Sequence, residues 1–479
     1  MTVEGPNCLD TENRLDQDYF DVVICGTGFE NCLLAGTLAC AGKKVLNVDP
    51  NDYYGDDHAT LPWAQAVEAL RHYEHFSVLG GDQLSSRFLI DLQPGLLYAR
   101  SDLVEDMIRS GTHNYLTFRA INSYLIVIND QIAQVPISKP AIFQCPYLTR
   151  PDKRRLMKLM HLVLSDDRLN DAPSNALDVK QLELYEHRPF IEYLDELQLS
   201  PIAKDIIIYS LCLSDSPDIS TSSGMQALKK FVNSLGRFDI GALLYPVYGT
   251  GDFPQAFARF AAVFGTTYLL RTSASLEPDD SILLSTSQRI TCDVFVRNGE
   301  PSDDDAHNDG KNKLSRCVCV CSKPIECSDP LSFLVIPPGV FKNAIKVLQV
   351  DETSGCVPKG AFILYFSTLQ TDDPKSDLLP ALDRFMPEEN RLATIFFTEC
   401  PRRPSEHKGE GLRRIDFGHS SFTSDLDLKA AAVRTLFHDL CKDTAFMNRA
   451  DCDGDAFDKD RKYNPEFDNI LSNTESLSL

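Results

Sequence analysis

No apolar run in the 479-residue chain approaches the roughly 18 residues that span a bilayer. Residues Met1 to Asp18 are acidic and polar where an export signal would be basic and then greasy, and Thr474 to Leu479 lack the cysteine that a prenyl group needs. Neither a leader nor a lipid anchor is expected, so any lipid would belong to a partner, and the expected location is the cytosol. Basic residues are also short: 47 Lys and Arg stand against 69 Asp and Glu, a formal net charge of -22. That field repels nucleic acid and anionic bilayers and leaves a protein or a neutral ligand as the expected partner. The 15 cysteines follow no regular framework, which fits reduced thiols in a chain too long to need staples. Cys317, Cys319 and Cys321 alternate and predict one buried strand face; they lack the paired spacing of a zinc site. Asp451, Asp453 and Asp455 are spaced like a calcium loop, yet Ala456 stands where glycine is required and Lys462 where a bidentate glutamate is required. No metal is expected.

With 43% apolar and 24% charged residues, the chain can bury a large core and is expected to form two domains rather than one. An apolar strand (Phe20 to Cys25), a glycine turn, a helix carrying Leu33, Leu34, Ala35 and Leu38, and a second strand (Lys44 to Val48) open the chain as a βαβ unit. From about Gln131 the strand signal fades, and helical stretches appear at Pro151 to Leu164, Pro189 to Ser214 with a break near Pro201, and Gly224 to Leu235. Strand signals return at Gly241 and run to about Thr398, interrupted by a polar stretch, Arg297 to Leu314, that reads as a surface loop. The predicted fold is α/β: a discontinuous, doubly wound domain of the FAD/NAD-binding type over residues 19–130 and 236–442, with an α-helical subdomain inserted at 131–235. A polar, flexible tail is expected over 443–479.

Gly26, Gly28, Ala35, Leu38, Gly42, Val45 and Asp49 have the spacing of a dinucleotide fingerprint. Gly26 permits the tight turn, Gly28 lets a pyrophosphate approach the helix start, and Asp49 ends the second strand where it could hold a ribose hydroxyl. The third glycine position is Asn31, whose side chain stands where helix and strand should pack closely. The fingerprint therefore reads as vestigial, a scaffold that keeps the fold and holds no cofactor. A flavin-dependent oxidoreductase is the alternative from another class.

Directly after Asp49 come Pro50-Asn-Asp-Tyr-Tyr54-Gly55 and, later, Tyr245-Pro-Val-Tyr248-Gly-Thr-Gly-Asp252-Phe-Pro-Gln255-Ala-Phe257-Ala-Arg259. With Arg87 to Ala99 (RFLIDLQPGLLYA) and Val263 to Leu270, these resemble the superfamily of Rab GDP-dissociation inhibitors and Rab escort proteins over most of residues 19–275. The resemblance implies a non-catalytic platform for Rab GTPases in their GDP state, with Tyr54, Asp252, Gln255 and Arg259 at the positions that contact the GTPase. Tyr248 and Phe257 are expected in the core.

Phe143 and Arg154 have the spacing of the element by which the escort branch docks on Rab geranylgeranyl transferase, chiefly on its alpha subunit; a knob of phenylalanine beside a directional guanidinium suits such a role. That branch shields the geranylgeranyl group of the modified Rab and delivers it to membranes in vesicle-mediated transport. Shielding a twenty-carbon isoprenoid is worth on the order of 10 kcal/mol. Met157, Met160, Ile206, Ser210 and Phe231, on three apolar helices, are the lipid-pocket candidates, against a background of ordinary packing. The inhibitor branch, which recycles prenylated Rabs, remains the alternative within the superfamily.

Overall fold

The structure, a computed structural model, describes residues 14–165, 184–299, 313–325, 329–400, 402, 404–408, 412–417, 425–442 and 444–447. The fingerprint forms as spaced: β1 (Tyr19–Cys25), α1 (Phe29–Cys40) and β2 (Val45–Asp49), with β1 and β2 parallel. These strands sit in an eight-stranded sheet. Thr267–Leu270 extends it beyond β2, and Arg289–Asn298 followed by Arg413–Phe417 extend it beyond β1, all parallel. Helix α1 is buried along nearly its whole length because it lies between this sheet and the helices Asp252–Val263 and Leu426–Leu440. Its closest neighbour is Asp252–Val263, and Gly36 marks the contact: a Cβ there would stand 2.8 Å from the Phe260 ring.

Residues 19–130 and 236–442, read together as one doubly wound domain, supply two large sheets. The second, also eight-stranded, runs Glu74–Gly80, Arg391–Glu399, Leu314–Cys321, Phe362–Leu369, Ile345–Val350, Ser332–Ile336, Ser123–Ile128, Gln131–Gln134, and is antiparallel except where Ser332–Ile336 meets Ser123–Ile128. The last of these strands opens the segment read from sequence as helical. Cys317, Cys319 and Cys321 share a buried face with Leu378 and Leu382 of helix Pro374–Phe385.

The opposite face of the second sheet carries the helical layer: Arg150–Ser165, Phe190–Glu196, Pro201–Asp205 and Thr221–Ser234 fall on the stretches read as helical, and Lys139–Gln144 is a further helix outside them. Pro201–Asp205 continues into a π-helical turn, Ile206–Leu211, in which the Cys212 amide reaches back to the Ile207 carbonyl at 2.9 Å. The buried Asp152 locks the layer at one corner. It accepts hydrogen bonds from the Thr149 hydroxyl (2.5 Å) and the Ser200 amide (2.9 Å), satisfying donors at two helix starts. Burial would raise its carboxyl, but these bonds outweigh burial and hold it below the usual range.

The tail departs from its reading at its beginning. Phe446 and Met447 are buried, with Phe446 edge-on to Phe437 at 5.4 Å, so the chain stays packed at these two residues. The calcium-like stretch 451–462 and most of the loop between Arg297 and Leu314 lie outside the described residues.

Candidate functional site

Two glycine turns carry the residues singled out by the sequence. In the first, Gly26 adopts a left-handed φ of 95° and the turn feeds α1. Asp49 is fully buried, and one of its oxygens accepts from the Thr27 amide at 2.7 Å and the Thr27 hydroxyl at 2.6 Å; the other accepts from the Asn51 amide at 2.8 Å. Its carboxylate holds its own loop. Asn31 donates to the Cys25 carbonyl (3.1 Å) and to Asn298 (2.9 Å), and Asn298 in turn donates to Asp56. The amide thus ties helix to strand where a third glycine would let them touch.

The space in front of this turn is a cleft of about 20 Å³ lined by Gly28, Glu30, Asp56, Asp57, His58, Asn298, Arg402 and Phe417. That is near the size of one water, whereas a cofactor-sized ligand needs roughly 300 Å³ or more. The lining is acidic: burial, then Asp57 and Asp49, push Asp56 up to about 8. Arg402 pairs with Asp57 at 2.7 Å, and Lys429 contacts His58 at 2.5 Å. Carboxyl groups of Glu30, Asp56 and Asp57 thus line the mouth of the turn, and the cleft as it stands is too small for a dinucleotide.

The second turn joins strand Leu243–Pro246 to helix Asp252–Val263. It too is held by a buried aspartate, Asp91, from the Arg87 to Ala99 motif. Asp91 accepts from the Thr60 hydroxyl (2.5 Å), the Thr250 amide (2.9 Å), the Thr250 hydroxyl (3.0 Å) and the Tyr245 hydroxyl (2.7 Å). Gly249 and Gly251 fit because a Cβ on either would lie within 2.9 Å of Thr60 atoms. Two motifs read separately from the sequence therefore meet at one carboxylate. Neither Asp91 nor Thr60 stood out by residue type; an aspartate inside an otherwise apolar strand was the signal available.

From this anchored start the helix buries Phe253, Phe257 and Phe260 and turns the other face outward. Asp252 is half-buried, while Gln255 and Arg259 are exposed at the i, i+4 spacing that aligns side chains. Burial, then the Asp91 charge, raise Asp252 to about 6. The Arg259 guanidinium lies over the Tyr115 ring at 4.5 Å, which fixes its stem and leaves its donors accessible. Tyr54 is half-buried, edge-on to Tyr268 at 5.5 Å, at the margin of the same apolar cluster. Phe257 is core as expected. Tyr248 is not: it lies past the end of the strand, its backbone takes a left-handed φ of 73°, and it is 58% exposed.

On the helical layer, Phe143 is 52% exposed, and its carbonyl accepts from the Lys153 ammonium at 2.7 Å, which ties it to the basic start of Arg150–Ser165. Arg154 is exposed on that helix, and its side chain has no partner among the described residues. Met160, Ile206 and Phe231 are buried in one large cluster, with Met157 at its edge, and Ser210 is also buried. The Ser210 hydroxyl, within the π-helical turn, is buried without a hydrogen-bond partner among the described residues.

The fold is shared with known structures. Rab GDI from Plasmodium falciparum superposes with a TM-score of 0.72 at 19% identity, covering 89% of this chain and 99% of that one. An oxidoreductase from Methanosarcina mazei follows with a TM-score of 0.57 at 11% identity over 87% and 99%. The sequence model of the family described as GDP dissociation inhibitor matches residues 15–408, and the chain belongs to that family. Its relatives carry two kinds of name. Rab escort protein 1 of Arabidopsis thaliana is 28% identical over 75% of this chain and 78% of its own, and Rab proteins geranylgeranyltransferase component A of Drosophila melanogaster is 26% identical over 90% of each. Rab GDP-dissociation inhibitor of Saccharomyces cerevisiae is 26% identical over 90% and 97%.

Proposed function

We propose that the chain acts as an escort for Rab GTPases. It binds the unprenylated GTPase in its GDP state through Tyr54, Asp252, Gln255 and Arg259, and presents it through Phe143 and Arg154 to Rab geranylgeranyl transferase, chiefly the alpha subunit. It then carries the geranylgeranylated product through the cytosol to a membrane. The observation that carries the escort reading is the outward Phe143, more than half exposed and tethered by Lys153 to a rigidly capped basic helix. An exposed aromatic, with an exposed arginine, Arg154, on the helix that tethers it, is the composition of an interface anchor.

The chain performs no chemistry itself and binds no flavin; the acid-lined cleft and the buried Asp49 support this. The lipid, once attached to the partner, enters between the helices that carry Met157, Met160, Ile206, Ser210 and Phe231, and the π-helical turn supports a local opening there. Among the described residues no helix is long and apolar enough to cross a membrane, which fits a carrier that visits membranes without spanning them. The second reading, an inhibitor that recycles prenylated Rabs, draws on the relative of that name in Saccharomyces cerevisiae, matched along most of both chains.

The test mixes the protein with a GDP-loaded unprenylated Rab, the transferase and geranylgeranyl diphosphate. Wild type should support lipid transfer, and Phe143→Ala should lose it while still binding Rab. Extraction of prenylated Rab from membranes without any support of transfer would replace the escort by the inhibitor.

A further inference from the structure

The turn before helix Asp252–Val263 contains an outlier that packing does not explain. Tyr248 holds a φ of 73°, a region that bulky L-residues rarely enter, while its ring stays 58% exposed. A strained backbone that buried an aromatic would be repaid by the core; here most of the ring faces water. The strain is enforced from several sides. The Val247 amide donates to the Thr117 carbonyl at 2.8 Å, and the Tyr248 amide to the Ser354 carbonyl at 2.6 Å. The next residue, Gly249, is wedged so closely that a Cβ would meet Asp91 at 2.5 Å. The ring itself rests on the bare backbone of Gly355, where a Cβ would stand 2.7 Å from it. The surroundings therefore over-determine an outward aromatic, the circumstance in which strain persists at sites of recognition.

We propose that Tyr248 is a further recognition residue for the GTPase, an aromatic anchor set by the strained turn beside the outward face of the helix. The proposal rests on the reading that Asp252, Gln255 and Arg259 bind that partner. Tyrosine suits this role because it offers a large amphipathic contact with few rotatable bonds, and bracing on Gly355 fixes the ring before the partner arrives. Because Ser354 and Gly355 follow a strand of the second sheet, the footprint of the partner reaches from the turn of one sheet onto a loop of the other.

Asparagine tolerates a left-handed backbone and carries no ring, so Tyr248→Asn separates a recognition role from a structural one. The full chain, with the urea midpoint measured beside the affinity for an unprenylated, GDP-loaded Rab, is the material. The expected result is an unchanged or higher midpoint with affinity weakened about tenfold, the scale of an interface anchor. Unchanged affinity would overturn the proposal, and so would a fall in midpoint that accompanies the loss, since that marks a structural residue. Arg259→Ala in the same assay keeps the two readings apart. If it too leaves affinity unchanged, the helix face is not the site; if it weakens binding and Tyr248→Asn does not, only the anchor is lost.

Discussion

The two glycine turns have the same plan and opposite outcomes. Each leaves a strand, enters a twelve-residue helix, and is closed by a buried aspartate that accepts both the amide and the hydroxyl of a turn threonine: Asp49 with Thr27, Asp91 with Thr250. In the first, the helix is buried nearly all round and acidic side chains crowd its start, leaving a space of about 20 Å³. In the second, Gln255, Arg259 and Tyr248 face outward. A strand–turn–helix unit thus says where a ligand could bind; the side chains delivered to its mouth by other elements decide whether anything does, and of what size.

The largest effect should come from removing the aspartates. Asp91→Ala strips the acceptor from three side-chain hydroxyls and one amide, and unfolding free energy in urea should fall by about 3 kcal/mol or more. Asp49→Ala leaves fewer donors unmatched and should cost about 2 kcal/mol. The reverse ranking would mean that the first turn is the more tightly held of the two.

A smaller effect tests how the turns communicate. Gly36→Ala places a Cβ 2.8 Å from Phe260 and pushes α1 off the helix that presents Gln255 and Arg259. Overpacking of about 1–3 kcal/mol should outweigh the roughly 1 kcal/mol that alanine adds to helix propensity, and calorimetry should show a lower Tm together with weaker Rab binding. A higher Tm would show that the two helices slide apart without cost.

The smallest effect concerns charge. Asp252 titrates near 6 in the fold, raised by burial and then by Asp91, against about 3.9 in an unfolded chain. A raised carboxyl contributes stability that is full below about pH 4 and is lost as pH rises towards about 6. The urea midpoint of wild type relative to Asp252→Asn should therefore fall between pH 4 and 6 and level off above. A difference that grew with pH would mean the carboxylate is matched by a cation in the fold.

Local readings transferred well where a single element carried them. The βαβ opening and the helical layer follow from periods of 2 and 3.6 and from glycine placement, all short-range properties, whereas Gln255 and Arg259 were picked out only by the family resemblance. Asn31 was legible as a misfit, and its bond to Asn298, 267 residues away, explains how the misfit is accommodated. The division into two sheets was not legible. Strand Glu74–Gly80 pairs with Arg391–Glu399, and periodicity reports which residues face inward while saying nothing of which strand lies alongside. Tyr248 was expected in the core; its backbone is left-handed, its amide is held by the Ser354 carbonyl, its ring rests on Gly355, and it stands exposed.

The amino-acid sequence by itself determined the kinds of element, the dinucleotide-type opening and the family, because these rest on residue spacing along the chain. Tertiary structure alone decided that Asp91 joins two distant motifs, that acidic side chains close the first turn, and that Phe143 and Tyr248 stand in solvent. Burial, pairing and charge balance at a point in space depend on segments hundreds of residues apart, and no local pattern records which of them will meet.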